Sequence, residues 1–230
     1  MRRCLVRFRR SLILVWFLAF CVVPPAPLVS AAPGPDRRDC RPAELFITDT
    51  ESPLFEPQAI ATIATAAPFG AAVTGSTPLD GVFWSEDRQQ IAFERSREFH
   101  LCVTDATALH AAAAALGHQF DQDAVLTFDY QPQSAPGDGT NGVAITVPDA
   151  DFGRFGEAFA ADATARRELL GGSVTTTDHT LILIAGCDDL ALARRLVEEA
   201  GGRWESATLA FGRREFVQTA ELGLAAHSSP

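Results

Sequence analysis

The sequence predicts an α+β fold made of two successive modules that each follow the order β-α-β-β-α-β. The first observation is an internal alignment without a gap, in which residues 90–105 lie over residues 173–188. Both segments are typical of a strand, a tight turn, an apolar strand and an aspartate that can cap a helix. The second observation is that a helical pattern follows each segment and ends at glycine, which adopts positive φ without strain.

The first module is predicted over residues 42–131. A short apolar strand at 45–48 opens it, and a helix over 57–67 follows before a proline and a glycine end the helical pattern. The aligned segment supplies the middle strands. A second helix over 106–116 and an apolar strand at 124–130 complete the module.

The second module is predicted over residues 143–217, and it opens with the apolar strand 143–147. Phenylalanines spaced by three, four and seven residues give the following helix one apolar face: Phe152, Phe155 and Phe159. After the aligned segment come a helix over 189–200 and a last strand at 207–211. The element order therefore matches that of the first module.

This order is the ferredoxin-like, split βαβ arrangement. We therefore predict a tandem duplication of a ferredoxin-like module, with antiparallel sheets that carry helices on one face. The alternative is a chance resemblance between amphipathic segments of one irregular α+β domain. Small and β-branched residues on the far face of the sheets indicate that this face is buried as well. The two sheets would then face each other, join into one eight-stranded sheet, or form a homodimer contact.

Several segments lie outside this symmetry. Residues 71–87 are predicted as an insertion in the first module, because glycine, proline and an Asp-Gly pair cluster there. Residues 132–142 are rich in proline and glycine and are predicted to form the linker loop. We expect residues 32–41 to be a disordered N-terminal segment and residues 218–230 to be a flexible tail.

Residues 1–31 have the pattern of a secretory signal peptide. Arginines dominate the first ten positions, and an apolar run over 12–23 follows that is short for a membrane span. Small residues precede the predicted cleavage site between Ala31 and Ala32. The sequence therefore predicts a secreted, extracellular protein; the alternative is an uncleaved membrane anchor.

The charge of the processed chain is strongly negative. Beyond residue 31 it has 14 arginines against 29 carboxylates, and the whole sequence contains no lysine. Phosphate groups attract basic surfaces, so this balance argues against nucleic acid and against an anionic membrane surface as partners. The use of arginine without lysine, together with abundant alanine, is typical of a bacterial source.

Three cysteines remain after cleavage, namely Cys40, Cys102 and Cys187. In an oxidising compartment we expect one disulfide and one free thiol, and their spacing leaves all three pairings open. His100 and Cys102 share one face of a strand, so together with Cys40 they could act as soft metal ligands. We favour an ordinary histidine beside a disulfide or a small thiol, and predict no metal site.

An aromatic pair is the best indicator of a binding pocket. Phe83 and Trp84 lie in the predicted insertion, and His100 would lie near them between the modules. The alternative is that the aromatic pair only covers the end of the core.

No sequence motif indicates catalysis. The chain lacks the Gly-x-Ser-x-Gly nucleophile elbow, a phosphate-binding loop and a dinucleotide fingerprint. We therefore predict no catalytic residue and no cofactor, and a non-catalytic module that binds an unknown small molecule or protein as a monomer or homodimer. The alternative is a hydrolase-like or other small-molecule enzyme, with His100 as acid–base beside Glu94 or Glu98. A third hypothesis is an interaction module that presents a sheet edge.

Overall fold

The structure is a computed structural model, and it describes residues 40–85, 88–132, 135–169 and 171–219. The predicted signal peptide and its cleavage site at Ala31 and Ala32 lie outside these residues. The strands are β1 Arg41–Thr48, β2 Ala71–Ser85, β3 Gln90–Val103, β4 Ala124–Tyr130, β5 Gly142–Val147, β6 Gly171–Thr175, β7 Leu181–Gly186 and β8 Thr208–Gln218. The α-helices are α1 Phe55–Ala64, α2 Ala106–Gln119, α3 Phe152–Ala161, α4 Ala163–Glu168 and α5 Leu190–Glu199.

The strands close into one barrel in the order β1-β3-β2-β6-β7-β5-β8-β4. Every neighbouring pair is antiparallel, including β4 with β1, which completes the ring. Two seams join the first four strands to the last four. Five residue pairs of β2 and β6 form one seam, from Leu79 opposite Thr175 to Phe83 opposite Gly171. The other seam pairs the whole of β4 with β8.

The predicted fold class, a tandem duplication of a ferredoxin-like module with separate antiparallel sheets, is wrong. The observed architecture is a closed eight-stranded antiparallel barrel with helices on its outside. The physical reason lies in the strand edges, because an unpaired edge leaves backbone donors and acceptors without partners. Strands β2 and β4 meet this need by pairing with β6 and β8, which leaves the barrel without an open edge.

Residues 71–87, predicted as an insertion, contain a long strand instead, since β2 covers Ala71–Ser85. The tight turn expected within 90–105 is also absent, because β3 runs unbroken through this segment. Its polar residues alternate between the two faces of the strand, and several of them have charged partners there. Arg97, on the outer face, lies 3.2 Å from the Asp49 carboxylate and 3.4 Å from that of Glu56. Charge pairing therefore allows this polar stretch to form part of a strand, although its sequence resembles a turn.

Aspartates cap two of the predicted helices. The Asp105 carboxylate accepts a hydrogen bond of 2.9 Å from the backbone N–H of Ala108 and starts α2. Asp151 accepts one of 2.8 Å from the backbone N–H of Arg154 and starts α3. The cap expected at the end of residues 90–105 is therefore confirmed. Asp188, the aspartate expected at the end of the second aligned segment, lies within the 3₁₀ turn Cys187–Asp189, and Asp189, which directly precedes α5, makes no side-chain capping bond.

The helices cover the outside of the barrel with two apolar cores. One lies between α1, α2 and the outer face of the first four strands, and its large members are Phe55, Ile63, Phe99 and Leu109. The other lies between α3, α4, α5 and the last four strands, and its large members are Phe155, Phe159, Leu183 and Leu196. The helical phenylalanines at 155 and 159 are fully buried, as their spacing predicts.

A third apolar cluster lies inside the barrel. Phe128 is fully buried there and packs with Ala144 and Ile184 from the last four strands. Gly212 lies against the same ring, where a Cβ atom would sit 2.7 Å from a ring carbon of Phe128. The interior face that the sequence indicated as buried is therefore buried within the barrel itself.

Cys40 and Cys102 lie within bonding distance as a disulfide, with Cα atoms 5.3 Å apart. Cys187 is a half-buried free thiol. Among the described cysteines, the expected disulfide is thus the pair Cys40–Cys102, and Cys187 is the free thiol.

Within the described ranges, no helix combines the length and the apolar character needed to cross a bilayer.

Candidate functional site

Strand β3 supplies polar side chains to two regions of the barrel interior. Successive side chains of a strand point to opposite faces, so every second residue of β3 faces inward. Glu94 and Ser96 line a cavity toward one end of the barrel. Glu98 and His100 belong to a polar cluster toward the other end.

The cavity has a volume of about 250 Å³ and is bounded by both groups of strands. Its apolar walls are built mainly from aromatic and branched aliphatic side chains: Phe46, Leu126, Phe83, Ile182, Ile184 and Phe216. Sites for drug-sized ligands typically measure about 300–1,000 Å³. The cavity therefore fits a molecule at or below the small end of that range.

Two serine hydroxyls give the cavity a polar patch. The Ser96 Oγ is buried and has no hydrogen-bond partner. Gly81 lies beside it, where a Cβ atom would stand 3.5 Å from Ser96 Oγ and 3.4 Å from Ser173 Oγ. Gly81 therefore presents no side chain to either hydroxyl. A buried hydroxyl without a partner costs about 1–3 kcal/mol, so a bound polar group would find a favourable position here.

The three residues predicted as a binding pocket do not share one site. Phe83 lines the cavity. Trp84 packs against the outer core, where the Arg166 guanidinium lies 4.4 Å from the centre of its ring. His100 belongs to the polar cluster and is not among the residues that line the cavity.

The polar cluster consists of Glu44, Glu98, His100, Thr77 and Tyr130. Glu44 on β1 stands directly opposite His100 on β3, and His100 Nδ1 lies 3.7 Å from Glu44 Oε1. On the other side of the ring, His100 Nε2 lies 3.9 Å from Glu98 Oε2 and shares a hydrogen bond of 2.9 Å with the Thr77 hydroxyl. The Tyr130 hydroxyl donates a hydrogen bond of 2.5 Å to Glu44 Oε1.

Burial and charge together keep a proton on Glu98. Burial, followed by the negative charge of Glu44 and a hydrogen bond with it, raises the pKa of Glu98 to about 9. Burial and then the charge of Glu44 also raise the pKa of Tyr130 far above its usual range. At neutral pH the Glu98 carboxyl is therefore protonated.

The substitution Glu98→Gln is expected to flatten the dependence of stability on pH. Because the folded-state pKa of Glu98 lies above its ordinary value of 4.5, the folded state binds more protons than the unfolded state between pH 4.5 and about 9. The contribution of this group to stability is full below pH 4.5 and is lost as the pH rises through 9. The amide cannot ionise, so the variant should be more stable than wild type at pH 9, on the order of 1–3 kcal/mol.

Urea unfolding at pH 5, 7 and 9 measures this difference, with EDTA present to keep stray cations off the carboxyl pair. The matched control is Glu157→Gln, which removes an exposed carboxylate on α3. A pH slope that survives Glu98→Gln would contradict the assignment of the proton to this pair.

Sequence reasoning found part of this arrangement. The sequence pointed to His100 with Glu94 or Glu98, and in the structure Glu98 lies beside His100 while Glu94 lines the cavity. Sequence reasoning missed Glu44 and Tyr130, because the register that brings them to His100 joins segments far apart in the chain. The alternation of polar residues along β3 was the signal that could have indicated an inward polar face.

Comparison with known proteins adds little to this picture. No sequence profile of a known protein family matches the chain, and no curated protein does. Among solved structures, the chain is similar to a provisionally assigned monooxygenase from Lactobacillus acidophilus, with 13% identity, a TM-score of 0.27, and coverage of 78% of this chain and 97% of that one. It is also similar to an anthrone oxidase-like protein, at 10% identity and a TM-score of 0.25, over 82% of this chain and 97% of that one.

A third similar structure is a provisionally assigned transcriptional repressor of the glycine cleavage system. It has 14% identity and a TM-score of 0.26, over 75% of this chain and 97% of that one. With scores this low, no property of these proteins is transferred to this chain. The fold and the interior define the class: a closed antiparallel β-barrel protein with an internal cavity and a buried polar cluster.

Proposed function

We propose that the protein binds a small, mainly apolar molecule inside the barrel, without converting it chemically. The observation that supports this most is the cavity of about 250 Å³, whose walls combine apolar side chains with a buried hydroxyl that lacks a partner. Largely apolar pockets with a few placed polar groups are typical of small-molecule sites. We also propose that the protein is secreted, and the support for this is the signal-peptide pattern of residues 1–31 alone.

The walls favour an apolar ligand body. Phe46 and Leu126 come from the first four strands, and Ile182 and Ile184 come from the last four. A ligand between them would lose water from both sides, and each Å² of apolar surface removed from water contributes roughly 25 cal/mol. A flat molecule of one or two rings matches both the volume and the aromatic lining.

The polar groups favour a neutral ligand with a hydroxyl or amine. Ser96 and Ser173 can donate or accept hydrogen bonds, and Glu94 adds a carboxylate to the lining. An anionic ligand would meet this carboxylate and the net negative charge of the chain. We therefore infer phenol-like or amine-like ligands rather than carboxylic acids.

The alternative, an enzyme that uses His100 as acid–base, has less support from the geometry. General acid–base catalysis needs the catalytic group within hydrogen-bond reach of the reacting proton. His100 is not among the residues that line the cavity. A molecule held in the cavity would therefore not contact the imidazole.

Binding is tested first with 2-naphthol, a neutral two-ring phenol, by isothermal titration calorimetry. We expect one molecule bound per chain, and we expect Leu126→Trp to weaken binding by about tenfold or more, because the larger ring fills the cavity. The matched control Leu54→Trp makes the same change at a side chain that is 58% exposed. Equal binding by both variants, or no binding by wild type, would overturn the proposal.

The hydroxyl of Ser96 gives a second test. Ser96→Ala should weaken 2-naphthol by about fivefold to tenfold, since one net hydrogen bond contributes about 1 kcal/mol. Naphthalene lacks the hydroxyl, so its affinity should stay the same in the variant. The free energy of unfolding should not fall, because the lost hydroxyl has no partner in the protein. Equal losses for the two ligands would place the 2-naphthol hydroxyl elsewhere.

A further inference from the structure

We propose that Glu44, Glu98 and His100 bind one divalent transition-metal ion, with zinc as the reference case. Each of the three residues offers one ligand atom, and these atoms lie within 4.8 Å of one another. The site is distinct from the cavity, because none of the three residues lines it. The proposal therefore does not depend on the small-molecule function.

The barrel places the three ligands by strand geometry. Glu44 and His100 are direct partners across β1 and β3, and Glu98 precedes His100 by two residues on the same face of β3. Zinc binds histidine nitrogen and carboxylate oxygen at about 2.0–2.2 Å, which puts neighbouring ligand atoms about 3–4 Å apart. Small rotations of the three side chains would bring their ligand atoms from within 4.8 Å of one another to this spacing.

Glu98 differs from the other buried carboxyl groups in its basic partners. Three carboxyl residues are buried in the described part of the chain, namely Asp49, Asp129 and Glu98. Asp49 lies 3.2 Å from Arg97, and Asp129 lies 3.1 Å from Arg41. Within the same described residues, the basic side chain within 4.0 Å of Glu98 is the imidazole of His100 alone.

Glu98 thus has no arginine partner of the kind that the other two buried carboxyl groups have, and a second glutamate, Glu44, hydrogen-bonds with it. Buried carboxylates are normally paired with a cation or coordinated to a metal. The Glu98 side chain is only 5% exposed, whereas that of His100 is 38% exposed. An ion can therefore reach the site from the His100 side and be held by the deeper glutamates.

The ligand types select the metal class. One imidazole with two carboxylates suits zinc and its first-row neighbours better than calcium or magnesium, which prefer oxygen ligands alone. Two of the ligands are oriented by residues that would not themselves bind the metal: Tyr130 hydrogen-bonds to Glu44, and Thr77 hydrogen-bonds to His100. Three protein ligands also leave a coordination position for water or for another molecule.

The test is a zinc titration of the processed chain by calorimetry, after treatment with EDTA and buffer exchange. We expect one zinc ion per chain, with affinity reduced by about tenfold to a hundredfold in His100→Gln and in Glu98→Gln. His110→Gln is the matched control, because His110 is also 38% exposed and lies 3.3 Å from the carboxylate of Glu215. Its affinity should equal that of wild type.

Cobalt absorption gives an independent readout, since visible bands report histidine and carboxylate ligation at one site. Thermal melting of each variant shows whether it remains folded, and His100→Gln alters a half-exposed side chain, so it should melt near wild type. No zinc binding by wild type, binding unchanged in folded His100→Gln, or binding lost in His110→Gln would each overturn the proposal.

Discussion

Replacing both Cys40 and Cys102 with serine is expected to lower the free energy of unfolding by about 4 kcal/mol. The two residues are 62 positions apart, and a cross-link of that span restricts the unfolded chain by about this amount in the chain-entropy treatment. The bond also ties the residue before β1 to the penultimate residue of β3, so the pairing of these two strands should loosen first. Urea unfolding under non-reducing conditions measures the loss.

The matched control is Cys187→Ser, which alters the free thiol and should change stability by well under half of that amount. Adding a reductant should destabilise wild type and the Cys187→Ser variant, and should leave the double variant unchanged. If the double variant unfolds at the same urea concentration as wild type, the disulfide does not form in solution.

Phe128→Ala is expected to lower the free energy of unfolding by about 3–5 kcal/mol. The Phe128 ring is fully buried inside the barrel and packs with Ala144 and Ile184 from the opposite strands. Truncation would leave a space in the interior that the rigid strands cannot close. Phe69→Ala is the control, because that ring is 63% exposed and its removal should cost little.

A double-mutant cycle with Ile184→Ala extends this test across the barrel. Phe128 lies on β4 and Ile184 on β7, so their side chains meet only if the two groups of strands enclose one interior. We expect the two losses to be non-additive by about 0.5 kcal/mol or more. Strict additivity would mean that the side chains do not touch.

Local features of the fold could be predicted from the sequence. Asp105 was predicted as a helix cap and acts as one, because capping depends only on the residue and the few that follow it. The spacing of Phe155 and Phe159 predicted the buried face of α3 for the same reason. These predictions needed no knowledge of which strands are neighbours.

The closed barrel could not be predicted from the sequence, because the sequence of its second strand resembles that of a loop. β2 contains Gly75, Pro78 and Gly81, residues that normally indicate turns. Pro78 has no N–H to donate, and it is tolerated because the pairing of β2 with β6 starts only at the next residue, Leu79. At Gly81 a Cβ atom would lie only 3.1 Å from the carbonyl oxygen of Glu94. Tertiary packing thus overrides the local pattern.

The candidate site could be predicted only in part from the sequence, because it too depends on long-range strand pairing. His100 stood out as a histidine on an apolar strand, but Glu44 and Tyr130 have nothing distinctive beside them in the sequence. Their roles depend on the register between β1, β3 and β4, which joins residues 56 and 86 positions apart. The cavity depends on the same long-range pairing, since its walls come from both sides of two seams.

The most direct test of the central claim is the position of bound 2-naphthol, measured by isotope-filtered nuclear Overhauser effects to assigned methyl groups. The proposed site predicts contacts to Leu126 on β4 and to Ile182 and Ile184 on β7 in the same complex. Such contacts would show both that the barrel is closed and that its interior holds the ligand. Contacts confined to exposed side chains such as Leu54 and Ile60, or to the methyl groups of only one group of strands, would contradict it.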